Sequence, residues 1–283
     1  MGHYMETLDR ETVLAAVTKA LLAEVYTTPK PGLVDRHDNG AHTDMDVHTF
    51  ERSTYAIAPY LADMYAEGLR SADPQSLFRQ IRAIGMRAEK AMYAATADVN
   101  THKGMLFTVG ILCAAIGYAQ GRGMPVRAET VLEQVPAMTA EILEAEFEQM
   151  SRREARTHGE ILFHRTGERG IRGQAQKGFP VLRDTAVPAL RKYLRLCQDT
   201  EEAYLRTLME IIAVLNDTNV LSRGNEADLQ EMQHRAGVVL RLDREPFYGG
   251  LADMNQWCIG KNLSPGGAAD LLAAAILLIM LEK

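Results

Sequence analysis

Apolar residues recur at helical spacing along almost the whole chain, and no window alternates as a half-buried strand would. Leu14, Val17, Leu21 and Val25 share one face behind Asp9, a candidate cap. Phe50, Thr54, Ile57, Leu61 and Met64 follow Asp46. Leu77, Ile81, Ile84, Ala88 and Met92 follow Asp73-Pro74, an N-cap with proline at the first helical position. Leu106, Val109, Leu112 and Ile116 predict a fourth helix ending near Gly121 and Gly123, and Val131, Val135, Met138 and Ile142 a fifth. Further helices are expected from Thr185 to Cys197, after an Asp199/Glu202 capping box, along Leu229, Met232, Ala236 and Val239, and from Ser264 onward. The expectation is an all-α fold of about ten helices in a single domain over residues 1–283.

Composition narrows the function. A hydrophobic fraction of 47% supports a substantial core, and a net charge of -6 argues against a nonspecific nucleic-acid binder. Cys113, Cys197 and Cys258 are far apart and form no CxxC pair, which fits reduced thiols in the cytoplasm. The opening MGHYMETLDRE lacks the basic-then-apolar order of a signal peptide. The apolar run Leu271 to Leu281 is too short to span a bilayer and reads as a core helix, so no membrane partner is expected.

The chemistry concentrates in polar motifs punctuated by glycine and proline, set where helices begin or end. Helix ends carry unpaired backbone groups and partial charge, which suit polyanions and cations. In NLSPGG, Ser264 is the expected N-cap, and Gly266 and Gly267 leave first-turn amides open to an anion. In VNTHKG, Asn100 or Thr101 caps a helix whose first turn holds His102 and Lys103; a lysine there opposes the helix dipole unless a phosphate binds. In TPKPGLVD, prolines restrict Lys30, and Asp35 follows. GAHTDMD offers His42 as a proton carrier or loop hydrogen bonder, Asp44 as a metal ligand or base, and Asp46 as the cap of the second helix. DTNVLSRG puts Asp217 near the end of the helix that starts at Asp199, where a carboxylate is disfavoured unless a cation offsets it, and adds Arg223 as a phosphate fork.

The segment HGEILFHRTGERGIRGQAQKGFP, His158 to Pro180, breaks the helical period and is expected to be a functional loop. No GxxxxGK[ST] loop, GxGxxG, HExxH, zinc spacing or GxSxG elbow occurs. A nucleotide enzyme with this sequence works outside the usual α/β frameworks.

At these residues the chain resembles the triphosphoribosyl-dephospho-coenzyme A synthase family, from about Ala20 to the C-terminus. The resemblance rests on EVYTTPKPGLVDRHDNGAHTDMD, VNTHKGMLFTVGILCAA, the His158 to Pro180 segment, DTNVLSRG and NLSPGGAADLLA, in that order. Ala97-Asp98 stand where the family pattern has Gly-Gly, Ser222 and Asn225 flank Arg223-Gly224 in place of the expected His and second Gly, and Ala268 replaces Ser.

The resemblance implies a transferase that joins ATP and 3′-dephospho-CoA and releases adenine. The 2′-hydroxyl attacks C1 of the ATP ribose, and the triphosphate is retained. It further implies a downstream transferase and an acyl carrier protein of citrate lyase, with the malonate decarboxylase counterpart as the alternative. In that reaction Asp35 or Asp44, with His42, would handle the hydroxyl proton. Lys30, Asn100, Thr101, His102, Lys103, Arg223, Ser264, Gly266 and Gly267 would hold phosphates, and Asp44, Asp217 and Asp270 are the candidate ligands of Mg2+. A Mg2+-dependent nucleotide hydrolase and a noncatalytic binder of CoA-like ligands are the rival readings, and a homodimer is left open.

Overall fold

The computed structural model describes residues 7–155 and 158–282. Among them the backbone forms thirteen α-helices and a short π-helical segment, with no strand. Short acidic side chains start several helices by accepting from first-turn amides. Asp9 opens α1 (Arg10–Tyr26), accepting from the Thr12 N–H at 2.7 Å. Asp46 opens α2 (Val47–Arg70) through a reciprocal capping box with Thr49. Asp73 opens α3 (Pro74–Ala95) with Pro74 in the first turn. α4 (Lys103–Gly121) stops at the glycine expected to end it, and α5 (Ala128–Ser151) follows.

The segment expected to be a functional loop is largely helical. It holds α6 (His158–Thr166) and α7 (Gly170–Gln176). Gly167, Gly170 and Gly178 have φ of 76, 53 and 74°, so they separate short helices rather than interrupt a loop. Arg169 is absorbed by packing: it pairs with Glu144 of α5 at 2.5 Å and lies 4.4 Å over the Phe147 ring.

A π-helical stretch, Leu182–Ala186, leads into α8 (Val187–Leu196), followed by α9 (Thr200–Val214), α10 (Thr218–Arg223), α11 (Glu226–Val239), α12 (Arg244–Lys261) and α13 (Gly266–Leu281). Asp199 caps α9 through the Glu202 N–H at 2.7 Å, while the Glu202 side chain turns to Arg206 instead of closing a box. α12 lies outside the predicted set. It buries Phe247, Leu251, Met254 and Cys258 at helical spacing, but Gly249, Gly250 and Gly260 mask that rhythm in the sequence.

α4 and α13 form the centre. The Leu271–Leu281 run is buried in α13, as expected of a core helix. By length and composition α4 is apolar enough to cross a bilayer, and here it is mostly buried against α2, α3, α5 and α13. α2 and α4 touch backbone to backbone. A Cβ added at Gly68 would lie 2.1 Å from the Ala114 carbonyl oxygen, and one at Gly117 would lie 2.0 Å from the Tyr65 carbonyl oxygen.

Gly117→Ala is therefore expected to cost about 1–3 kcal/mol through overpacking, and a thermal melt with an unchanged Tm would contradict the close approach. Ala97 and Asp98 have φ of 52 and 64°, a region that costs L-residues about 1–2 kcal/mol. Ala97→Gly should raise stability by about 1 kcal/mol, net of the added chain entropy of glycine, measured as a higher denaturant midpoint at unchanged slope.

Candidate active site

The loops joining the helices bring the polar motifs to one cavity of about 310 Å³. Glu24 of α1 and Phe50 of α2 line it, with Leu33, Val34, His42, Asp44 and Met45 from the α1–α2 loop. Asn100, Thr101, His102, Lys103, Gly104 and Met105 come from the start of α4, Asn219 and Arg223 from α10, and Ser264, Gly266, Ala269 and Asp270 from the start of α13.

Several expected site residues do other work. The Lys30 ammonium is buried, donates to the Glu24 carbonyl at 2.8 Å and forms an ion pair with the Glu24 carboxylate. It is outside the cavity lining and has no free face for a phosphate. Asp35 is also buried and outside the lining. Its carboxylate accepts from the Lys30, His37 and Asp38 amides at 2.9, 2.8 and 3.0 Å, so it builds the loop and is poorly placed as a base.

Asp217 is not at the end of α9, which stops at Val214. It is the N-cap of α10, accepting from the Asn219 N–H at 2.8 Å, where helix charge favours a carboxylate. Its other oxygen accepts from the Ala268 N–H at 3.0 Å. Asp217 thus staples α10 to α13 and occupies part of the amide site expected to take an anion. Gly267 faces this staple, and a Cβ there would lie 3.0 Å from the Asp217 Oδ2. Neither Asp217 nor Gly267 lines the cavity.

Ser264 does not cap α13; Pro265 stands at the cap position without a side-chain bond. The Ser264 hydroxyl instead meets His42 Nε2 at 2.9 Å. The Arg223 guanidinium lies 3.3 Å from His42 Nδ1 and can only donate, so Nδ1 accepts and the imidazole proton sits on Nε2, directed at Ser264. Burial and the Arg223 charge hold the His42 pKa below its usual value, against the pull of Asp44 at 3.7 Å. Arg223 also donates to the Ala41 carbonyl at 3.1 Å and to Asn262 at 3.3 Å, which fixes its fork at the cavity wall.

On the opposite wall, His102 is fully enclosed and its Nε2 has no partner among the described residues. Its Nδ1 lies 2.6 Å from Ser53, which accepts from Thr101 at 2.7 Å. Burial, helped by Lys30, drops the His102 pKa to about 3, so the ring is neutral. Asn100 accepts from the Lys103 N–H at 3.3 Å, while the Lys103 ammonium pairs with Glu89 at 2.6 Å and stays half exposed.

The floor is acidic. Burial pushes the Glu24 carboxyl up, with Lys30 pulling the other way. Asp270 is raised well above the carboxylate range, first by burial and then by Glu24 and Asp217. A Cβ on Gly104 would lie 2.2 Å from Asp270 Oδ2, so the absence of a side chain there lets this carboxyl reach the first turn of α4. Glu24 is a site residue that sequence reasoning does not single out. It follows Leu21 by three positions and Val17 by seven, so it is a carboxylate on the apolar stripe of α1.

The profile of the family described as CitG: ATP:dephospho-CoA triphosphoribosyl transferase matches residues 10–283. The chain belongs to this family. A Pectobacterium atrosepticum protein named 2-(5''-triphosphoribosyl)-3'-dephosphocoenzyme-A synthase is 41% identical over 282 residues, covering 98% of this chain and 92% of that one. A Klebsiella pneumoniae protein of the same name is 38% identical over 274 residues, covering 95% and 90%. A crystal structure from Archaeoglobus fulgidus, described as a candidate triphosphoribosyl-dephospho-CoA synthase, superposes with a TM-score of 0.50 over 80% of this chain and 95% of that one. At 14% identity it supports the all-α fold alone.

Membership makes the chain an enzyme of this transferase type. The Asp270 environment yields a stability test. A carboxyl whose folded pKa is raised favours folding below its unfolded pKa and loses that contribution as pH rises through the folded value. Asp270→Asn should therefore raise stability at neutral pH, seen as a higher denaturant midpoint, with the gain fading toward pH 4 and below. A gain independent of pH would show that charge is not its cause.

Proposed function

We propose that the enzyme joins ATP and 3′-dephospho-CoA to give 2′-(5″-triphosphoribosyl)-3′-dephospho-CoA and free adenine. The observation that supports this most is the meeting of the polar motifs in one cavity, with Lys103 and Arg223 on its walls and Glu24 and Asp270 in its floor. Such a site holds a triphosphate by cations without aiming a nucleophile in line at phosphorus. A bond forms between the acceptor 2′-oxygen and C1 of the ATP ribose, and the bond from C1 to the adenine nitrogen breaks. The hydroxyl proton passes to a base, and the departing adenine takes up a proton.

Asp44 suits the base. It lines the cavity, its side chain is exposed, and no backbone amide claims it among the described residues. A carboxylate there also stabilises positive charge building on the ribose, as in glycoside hydrolysis. His42 has both nitrogens engaged, so its part is to hold Arg223 and Ser264 toward the phosphates. The His102 Nε2 is suited to donate to substrate, because Ser53 is free to donate to Nδ1 once it accepts from Thr101. Asn100, Thr101 and the Gly266 backbone complete the phosphate-facing lining.

Mg2+ fits this donor set. Among the described residues no three acidic, His or Cys side chains form a cage. Mg2+ commonly keeps several waters, takes one or two carboxylates and shares substrate phosphates. Asp270, a desolvated carboxyl beside two other acids, would hold it. When bound, the ion neutralises triphosphate charge beside the acidic floor. We place the product in the supply of the citrate lyase prosthetic group, handed to a transferase that loads an acyl carrier protein. The reading includes a cytoplasmic enzyme, and the three thiols are free.

The test is to incubate the protein with ATP, Mg2+ and 3′-dephospho-CoA and to follow adenine and the coupled product by mass. Both should appear in equal amounts, whereas ADP, AMP or uncoupled ribose triphosphate would support hydrolysis. Asp44→Asn should lower kcat by about 100-fold or more, as loss of a general base does. Lys103→Ala should raise the KM for ATP. Wild-type rates in both variants would remove these roles.

A further inference from the structure

A second cleft, of about 520 Å³, adjoins the cavity and shares Lys103 and Gly104 with it. It runs between α2, α3, α4 and α7, and its wall is largely apolar: Met64, Phe78, Ile81 and Phe107. Gly85 leaves it wide, since a Cβ there would meet only the Met64 methyl, at 3.6 Å. Met86 on the same lining is 62% exposed.

Its charged groups are uneven. Arg82 and Arg172 line the cleft and share one partner, Glu146, while Lys103 has Glu89. Three cations therefore stand against two carboxylates beside an apolar wall. That arrangement suits a ligand with an anionic group next to a long, mostly apolar arm.

It suits a purine less well. A base needs edge donors and acceptors within the apolar part, and the Met64, Phe78, Ile81 and Phe107 side chains offer none. The first cavity is also at the small end of the range for ligand sites, about 300–1,000 Å³, for a reaction that brings two nucleotides together.

We infer that this cleft takes the pantetheine arm of the acceptor, with the acceptor diphosphate at Arg82, Arg172 and Lys103. The inference rests on the reading of the acceptor as 3′-dephospho-CoA. The branched methyls and the thiol end of the arm pack on Met64, Phe78 and Phe107. Lys103, common to both spaces, then lies between the two substrates and sets the acceptor ribose beside the donor sugar.

Titration calorimetry with 3′-dephospho-CoA and with ADP, which keeps the nucleotide but lacks the arm, tests it. The wild-type protein should bind dephospho-CoA about tenfold or more tighter than ADP. Gly85→Phe, which fills the cleft, should abolish that preference and leave ATP and ADP affinities unchanged. Labelled methionine methyls give a second measurement that needs no variant. The Met64 and Met86 resonances should shift with dephospho-CoA or free pantetheine and stay in place with ADP.

Equal binding of dephospho-CoA and ADP by the wild type would overturn the inference. So would a Gly85→Phe protein that loses ATP and ADP affinity, which would make the cleft a base pocket, or methionine methyls that respond equally to ADP. Arm-dependent binding without adenine release would uphold the cleft assignment and count against the transfer reaction instead. Adenine release without an arm preference would do the reverse.

Discussion

The Lys30 ammonium lies out of water between the carboxylate and the carbonyl of Glu24, and much of the cavity floor is arranged around that charge. A buried ion pair is costly to form, and a buried charge left single costs more, about 3–5 kcal/mol when one partner is removed. Here the pair fastens the α1–α2 loop to the end of α1, and Asp35 then gathers the loop amides. The same cation helps keep His102 neutral and partly offsets Glu24, while Asp270 has no such partner in the described residues. The floor thus combines one compensated acid with one uncompensated acid, which is a reason for a cation and a polyanion to arrive together.

The residues of the motifs divide into two groups. Lys30, Asp35, Asp217 and Gly267 build the loops and join them to one another. His42, Asp44, Lys103, Arg223, Ser264 and Asp270 face the cavity. The builders are as polar as the facing residues because a loop without regular hydrogen bonding must satisfy its own buried amides. Asn255 shows the same demand from α12: it accepts from the Gly32 N–H at 2.8 Å and donates to Asp38 at 2.8 Å.

This division also explains what can be read from the sequence. Caps at Asp9, Asp46 and Asp73 are legible because a cap is local, made within three residues of the side chain. The all-α class follows from periodicity over long windows. The place of Asp217 is not legible, because α9 ends at Val214 and α10 starts at Thr218, a break too short to show in the apolar rhythm. Lys30 and Asp35 are recognisable as unusual, but whether a buried lysine faces a ligand or a glutamate depends on a contact to α1 that the motif does not contain. Glu24 sits in plain view on an apolar stripe, where a carboxylate signals either a partner or a site. The Ser264 hydroxyl has no assignment without His42, which is 222 residues away.

The backbone contact of α2 with α4 bears on all of this. Gly68 and Gly117 leave no room for the helices to slide past each other. A one-residue slip would turn α4 by about 100° about its axis and swing Lys103 and Gly104 away from the cavity they line with Asp270. The missing side chains therefore act as an index mark, set well back from the chemistry, that determines which way the first turn of a buried rod is pointing.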